Sequence, residues 1–174
     1  MHIEFTQADD SHVDSLVELV NSAYRGESSK VGWTTEADIL GGQRTDAEGI
    51  QEMINKEDSV ILIAENDDNG DLVGCVHLEK QNAKCYLGML TVDPSLQNKG
   101  IGKMLLTESG ALAQFWDCTS IFMTVISARS ELIAWYEKHG FRKTGEKKPF
   151  PYGDERFGLP KVEGLEFIVL EKKV

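Results

Sequence analysis

The chain has few cysteines and no long apolar run, and these two features narrow the class of protein to which it can belong. The three cysteines among 174 residues, Cys75, Cys85 and Cys118, lie far apart in apolar surroundings. We interpret them as reduced core residues rather than as a disulfide framework or a metal site. No apolar stretch approaches the about 20 residues of a membrane helix. The N-terminus lacks the basic and apolar regions of a signal peptide, so a cytoplasmic protein without a membrane segment is expected.

Positive charge is also scarce, because 18 Lys and Arg stand against 29 Asp and Glu, a formal net charge of −11. Such a chain repels the phosphates of nucleic acids and of anionic lipids, so neither is an expected partner. Attraction of a cationic amine and a plain solubilising surface both remain open as explanations of the acidity. The length suits a single domain, residues 1–174, acting as a monomer or homodimer.

Apolar spacing predicts an alternation of strands and helices. Strands are expected over residues 3–5, 60–64, 72–78, 86–92, 121–126 and 165–170, with another beginning at Phe141. Helices are expected over residues 13–24, 47–54, 101–115 and 132–138, the first capped by Asp10 or Ser11. Asn69-Gly70 marks a hairpin turn, and Gly88 marks a bulge within its strand. This order predicts a mixed, largely antiparallel sheet flanked by helices, an α/β fold.

The most informative stretch is the loop between the strand ending at Val92 and the helix beginning at Ile101. Gln97, Gly100 and Gly102 lie in it. Free amides at a helix N-terminus attract anions, and glycine lets an anion approach the backbone, so a phosphate or pyrophosphate is expected there. The loop is not a P-loop, because Met104 follows Gly102-Lys103, and Leu105 stands where a dinucleotide fingerprint needs glycine.

Two segments of the chain resemble the GCN5-related N-acetyltransferase (GNAT) superfamily. The pattern Gln-x-x-Gly-x-Gly, preceded by Val-Asp-Pro and followed by Lys-Met-Leu-Leu, resembles the acetyl-CoA loop of that superfamily. Residues 136–141, Tyr-Glu-Lys-His-Gly-Phe, are similar to its second conserved block. The resemblance implies the GNAT acetyltransferase fold, in which a bulged fourth strand splays from the fifth to open a V-shaped cleft. It also implies acetyl-CoA as the cofactor.

The resemblance further implies a set of cofactor contacts. The backbone around Leu90 and Val92 is expected to pair with the pantetheine arm, and the loop amides are expected to hold the pyrophosphate. Arg129 stands where many members have asparagine, so either Arg129 reaches a phosphate or Ser127 replaces the missing contact. The expected cofactor-binding residues are Leu90, Thr91, Val92, Gln97, Asn98, Lys99, Gly100, Ile101, Gly102, Lys103, Arg129 and Tyr136.

Tyr136 occupies the position at which many family members have a tyrosine general acid. A phenol is protonated at neutral pH, so Tyr136 is expected to donate a proton to the departing thiolate, the alternative being a plain core tyrosine. Tyr86 stands where some members place a catalytic glutamate, which leaves the general base open. His77 and Glu79 share one face of the preceding strand. Glu79 is the favoured base, and a solvated surface carboxylate is the alternative.

The acceptor side is expected to lie under residues 25–48, a long polar segment that we interpret as a lid. Tyr24 and Trp33 are the expected acceptor-binding residues, and Glu36 and Asp38 are candidates to meet a cation. Residues 149–161 are expected to form the opposite side of the pocket through their aromatic and proline residues Phe150, Pro151, Tyr152 and Phe157.

The leading hypothesis is therefore an acetyl-CoA-dependent N-acetyltransferase that acts by direct transfer to a primary amine. A small-molecule or amino-acid-like acceptor is favoured because the long lid would crowd a peptide. Three alternatives remain open: a protein or peptide acetyltransferase, a non-catalytic acyl-CoA sensor with the same fold, and a nucleotide-phosphate binder of unrelated fold.

Overall fold

A computed structural model describes residues 1–152 and 158–174, which form a seven-stranded sheet, a two-stranded sheet and helices around them. The strands are β1 (Ile3–Gln7), β2 (Leu40–Gly41), β3 (Ser59–Asn66), β4 (Asp71–Gln81), β5 (Lys84–Val92), β6 (Ser120–Ile126), β7 (Arg142–Pro149), β8 (Leu159–Pro160) and β9 (Glu166–Lys173). The α-helices are α1 (Val13–Tyr24), α2 (Gly26–Ser29), α3 (Ala47–Asn55), α4 (Ile101–Phe115) and α5 (Ser130–Lys138).

The large sheet has the order β1-β3-β4-β5-β6-β9-β7. Every neighbouring pair is antiparallel except β5 and β6, which run parallel. The predicted fold class, a mixed and largely antiparallel sheet flanked by helices, is confirmed. The short strands β2 and β8, which sequence periodicity is too local to reveal, pair with each other beside the large sheet.

Both faces of the central strands are buried, because side chains alternate across a strand. Val76 and Leu78 of β4 join the apolar cluster under α4 and α5, while Cys75 joins the cluster under α1 and α3. The three cysteines are buried free thiols, as expected. No helix in the part of the chain that the structure describes is both long and apolar enough to cross a membrane.

Local signals account for most element boundaries. Asp9, one residue before the predicted candidates, caps the turn that leads into α1, and its side chain accepts from the Ser11 amide. The hairpin predicted at Asn69-Gly70 is confirmed, with Gly70 at φ +78°. The strand predicted to begin at Phe141 is β7, the fully exposed edge of the sheet. Its lysines protect that edge from pairing with other chains.

The sheet opens between β5 and β6. Their pairing covers only Lys84 to Tyr86 and ends there. Further along β5, the register with β4 shifts, so that β5 contains one residue more than β4 across the bulge. The bulge confirms the prediction, but the left-handed residue is Met89, at φ +54°, and not Gly88. Gly88 instead makes room for a ring, because a Cβ there would lie 2.6 Å from the Tyr86 hydroxyl.

Replacement of Gly74 tests how tightly α4 lies on this sheet. A Cβ at Gly74 would lie 2.9 Å from the Thr91 carbonyl oxygen and 3.0 Å from a Leu105 methyl. Gly74→Ala should therefore destabilise the protein by about 1–3 kcal/mol in chemical unfolding, since a backbone atom must move. Gly110→Ala, on α4 with no atom within 4 Å, is the matched control and should stabilise by up to about 1 kcal/mol. Equal stability of Gly74→Ala and wild type would contradict this packing.

Candidate active site

Two cavities adjoin at the opening between β5 and β6. The inner cavity, about 260 Å³, lies between the end of α1, the lid segment and the open edges of β5 and β6; its lining includes Tyr24, Arg25, Glu36, Arg44, Tyr86, Thr124, Ile126, Arg129 and Phe150. The loop cavity, about 280 Å³, lies between the start of α4 and α5; its lining includes Trp33, Val92, Gln97, Asn98, Gly100, Gly102, Lys103, Trp135, Lys138 and His139. Leu90, Leu132 and Tyr136 line both.

The loop before α4 presents unpaired backbone amides to the loop cavity. Asn98 and Gly100 both adopt positive φ, +67° and +84°, and α4 starts without a side-chain cap. Met104 is the first amide of the helix to donate to a carbonyl oxygen, that of Gly100 at 3.0 Å. Within the described residues, the backbone N–H groups of residues 97–103 have no acceptor. Such a run of free donors at a helix N-terminus fits a diphosphate.

Most of the residues expected to bind the cofactor line the loop cavity, and three of them do not. Lys99 is exposed and does not line it. Thr91 is buried on the opposite face of β5, where its hydroxyl donates to the Met89 carbonyl at 2.9 Å. Arg129 lines the inner cavity instead. Lys138 and His139 line the loop cavity and were missed, although both lie in the sequence block that contains Tyr136.

The second loop glycine is required by packing as well as by ligand access. A Cβ at Gly102 would lie 3.2 Å from the Trp135 ring. Trp135 in turn contacts Trp33, with ring centroids 6.1 Å apart, and His139, at 4.4 Å. Trp33 lies on the loop cavity and does not line the inner cavity, and its expected contact with the acceptor stays a prediction.

Gln97 joins the lid to the loop through its side chain. Its carbonyl oxygen accepts from the Trp33 amide at 2.8 Å, while its amide nitrogen donates to the Thr34 hydroxyl at 2.6 Å and to the Val92 carbonyl at 3.2 Å. Gln97 thus fixes Trp33 beside the loop cavity. It also occupies a backbone acceptor on β5 that was expected to face the cofactor.

Tyr136 lies where the two cavities meet. The residue is buried, and its ring contacts Trp135 and Phe141 edge-on. Among the described residues the structure gives its hydroxyl no hydrogen-bond partner. Burial, followed by the nearby Tyr24, raises the pKa of Tyr136 well above its ordinary value. The phenol therefore remains protonated throughout the physiological pH range and is available as a proton donor.

Tyr24, at the end of α1, lines the inner cavity. Its hydroxyl donates to the Leu90 carbonyl of β5. Two guanidinium groups lie over its ring, with the Cζ atoms of Arg44 and Arg129 at 5.8 and 6.0 Å from the ring centroid. Burial raises the pKa of Tyr24, and the charge of Arg129 opposes that shift.

Glu36, a candidate to meet a cation of the acceptor, pairs in the structure with two arginines of the protein itself. One carboxylate oxygen pairs with Arg25, and the other pairs with Arg129 at 3.1 Å. Arg129 also donates to the Thr34 carbonyl of the lid. The expectation that Arg129 reaches a phosphate is therefore corrected, since this side chain holds the lid in place. Ser127, the alternative, lines neither cavity, and Asp38 is exposed.

The structure does not bring the favoured base to either cavity. Glu79 forms an ion pair with Lys56, which follows α3, and accepts from Gln81 at 3.0 Å. Burial raises the pKa of Glu79, but the hydrogen bonds from Lys56 and Gln81 outweigh it and leave the pKa below its ordinary value. His77 contacts the Ser59 hydroxyl at 2.8 Å, and burial lowers its pKa to about 4. Both face α3 because they share one side of β4.

The late loop contributes to the inner cavity through Phe150 and Pro151. Tyr152 contacts the Phe150 ring edge-on at 5.1 Å and accepts a hydrogen bond from the Leu165 amide. These contacts place an aromatic surface opposite α1, as expected for this segment. Phe157 lies outside the described residues.

Sequence comparison identifies relatives over part of the chain. It is 29% identical to the spermine/spermidine N(1)-acetyltransferase of Bacillus subtilis (strain 168), across 44% of this chain and 57% of that protein. It is 27% identical to an uncharacterised protein of the same strain, across 43% of this chain and 46% of that protein. The chain thus spans about half the length of these curated relatives.

Structural comparison covers nearly the whole chain. The PaiA N-acetyltransferase from Thermoplasma acidophilum, solved in complex with coenzyme A, has a TM-score of 0.72 and 21% identity over 100% of both chains. The ribosomal-protein-S18-alanine N-acetyltransferase from Escherichia coli has a TM-score of 0.73 and 12% identity over 99% of this chain and 94% of that one. At these identities the likeness shows a shared fold.

The family model of the acetyltransferase (GNAT) family matches residues 14–141. The match begins in α1 and ends just after α5, so it includes the loop before α4, the opening between β5 and β6, and Tyr136. The chain therefore belongs to the GNAT family of acetyltransferases, and its cofactor is acetyl-CoA.

Proposed function

We propose that this chain is an N-acetyltransferase that transfers the acetyl group directly to the primary amine of a small-molecule or amino-acid-like acceptor. The observation that carries the proposal is the meeting of two cavities at Tyr136, one lined by free backbone amides and the other lying beneath the lid. The three buried free thiols support a reducing compartment such as the cytoplasm.

The loop cavity is the proposed cofactor site. The free amides of residues 97–103 would hold the diphosphate, and Lys103 and Lys138 add positive charge along the same cavity. Acetyl-CoA, when bound, supplies an activated acetyl thioester and leaves as the free thiol. Leu90 and Leu132, which line both cavities, exclude water on the path between them.

Positioning is the main catalytic contribution that the geometry supports. An acceptor in the inner cavity approaches Tyr136 from the α1 side, while the cofactor site approaches it from the α4 side. Holding both reactants in line removes most of the entropic cost of their encounter. The Tyr136 hydroxyl, which burial keeps protonated, then donates its proton to the departing sulfur.

Removal of the amine proton is assigned to water rather than to a side chain. Among the described residues of the inner cavity the only carboxylate is that of Glu36, and its two oxygens are paired with Arg25 and Arg129. Glu79 lies outside the cavity. The reacting species is therefore the small fraction of the acceptor amine that is neutral, and water restores this fraction by removing a proton from the ammonium form.

Two alternatives are less well supported, and one is excluded. A peptide acceptor needs an open groove, whereas the lid is tied down over the cavities by Gln97 and Arg129. A non-catalytic sensor has no need for a buried phenol without a hydrogen-bond partner between the two cavities. A nucleotide-phosphate binder of unrelated fold is excluded by the fold and by the family match.

Incubation with acetyl-CoA tests the proposed function. The purified protein is mixed with acetyl-CoA and a panel of free amino acids, simple amines, polyamines and peptides, and release of the free thiol is followed. We expect acceptor-dependent thiol release with at least one small amine, and protection by CoA against thermal unfolding. Protection without thiol release from any acceptor would favour the sensor, and release with peptides alone would favour the peptide acetyltransferase.

Replacement of Tyr136 by phenylalanine tests the proton donor. Because the lost hydroxyl acts only as the thiolate departs, kcat should fall about 10²-fold or more, while KM for acetyl-CoA stays unchanged. The free energy of unfolding should change by about 1 kcal/mol or less, since no hydrogen bond to a described residue is lost. A variant that turns over at the wild-type rate would remove this role.

Replacement of Glu79 by glutamine tests the absence of a side-chain base. Since Glu79 faces Lys56 and not the cavities, kcat/KM of Glu79→Gln should stay within about twofold of wild type. In both proteins kcat/KM should keep rising with pH towards the pKa of the acceptor amine. A large loss of activity in a variant that still melts cooperatively, with CoA protection intact, would instead assign the base to Glu79.

A further inference from the structure

We propose that Arg44 is the anchor for an anionic group of the acceptor, so that the substrates are amines carrying a carboxylate, such as free amino acids, rather than polyamines. This inference rests on the proposed function and assigns the substrate class of the inner cavity. Arg44 approaches that cavity from the segment between β2 and α3.

The charge around the inner cavity is opposite in sign to that of the chain. The formal net charge of the protein is −11, yet the described charged residues that line this cavity are Arg25, Arg44, Arg129 and Glu36. Glu36 pairs with both Arg25 and Arg129 but carries only one negative charge, so the three arginines leave a net positive charge among these groups. Arg44 is the one of the three arginines that has no carboxylate partner among the described residues, and the low-dielectric sides of the cavity focus the positive field there.

The Arg44 guanidinium lies over the ring of Tyr24 at 5.8 Å and forms no ion pair with the described carboxylates. A stacked guanidinium keeps its N–H groups free for a planar anion and binds a carboxylate through two parallel hydrogen bonds. The arrangement therefore offers a donor pair that no described carboxylate uses.

The backbone of Arg44 is fixed before any ligand arrives. The Asn21 side chain of α1 accepts from the Arg44 amide at 2.7 Å and from the Thr45 amide at 3.0 Å, and donates to the Thr45 carbonyl at 3.0 Å. These bonds tie the segment to the helix that also presents Tyr24. Such preorganisation lowers the cost of ordering the arginine on binding.

A polyamine fits this cavity poorly. It would bring several ammonium groups beside Arg44 and Arg129, with the one described carboxylate already paired. An amino acid, by contrast, places its carboxylate on Arg44 and its amine further into the cavity, towards Tyr136. The naming of one relative for spermine and spermidine therefore does not extend to the acceptor of this chain.

The test compares acceptors that differ only in the anion. Thiol release from acetyl-CoA is measured with free amino acids, with their carboxamides and with spermidine, for wild type, Arg44→Met, Arg44→Lys and the control Arg142→Met on the exposed edge strand. Wild type should prefer the carboxylate by about 10- to 100-fold in kcat/KM. Arg44→Met should lose that preference through KM, Arg44→Lys should keep part of it, and Arg142→Met should behave as wild type.

A binding measurement separates this inference from the proposed function. In the presence of CoA, carboxylates that lack the amino group should raise the melting temperature of wild type but not of Arg44→Met, whereas CoA alone should protect both. Equal or faster turnover of carboxamides or spermidine, or an unchanged preference in Arg44→Met, would overturn the anion site. If none of the acceptors causes thiol release from acetyl-CoA, the proposed function fails. The anion site is then upheld if carboxylates raise the melting temperature of wild type but not of Arg44→Met, and it is overturned if they do not.

Discussion

The site depends on the early end of the pairing between β5 and β6. Parallel pairing stops at Tyr86 and Phe122, and the extra residue at Met89 then turns the remainder of β5 away from its partner. A fully paired sheet would leave no free edge and no passage between its faces. Because it opens here, both cavities exist, and Leu90 and Tyr136 lie where they meet. The left-handed backbone at Met89 has an energetic cost, and such strain is commonly retained where function needs it.

A single buried carboxylate organises the charge of the inner cavity. Glu36 pairs with arginines from two distant parts of the chain, Arg25 after α1 and Arg129 before α5. A buried ion network of this kind adds little to stability over apolar packing, but loss of one partner leaves an uncompensated charge. Its structural effect is to hold the lid against the end of β6, while Gln97 holds the same lid against the cofactor loop.

The sequence predicts those features of the structure that depend on residues close to one another along the chain. The loop before α4, its left-handed Gly100, the hairpin at Gly70 and the helix and strand periods all follow from local residue types. The sequence does not reveal side-chain contacts with residues far away along the chain. Gln97 lines the loop cavity, but its side chain also bonds Thr34 of the lid, 63 residues earlier, and Arg129 bonds the same residue, 95 residues earlier. Trp33 lies on the loop cavity because it contacts Trp135 of α5, which no local pattern predicts.

Net charge, like local sequence pattern, does not reveal which charged side chains face a site. Net charge is a sum over the whole surface, whereas a substrate responds to the few groups within a Debye length, about 8 Å at physiological ionic strength. The acidic composition left a cationic acceptor open, but it contains no information on which carboxylates are already paired. In the folded chain Glu36 is paired with two arginines of the protein, and Arg44 lines the inner cavity. The charge of the described residues that line the inner cavity is therefore set by how the lid folds onto α1, and it differs in sign from that of the molecule as a whole.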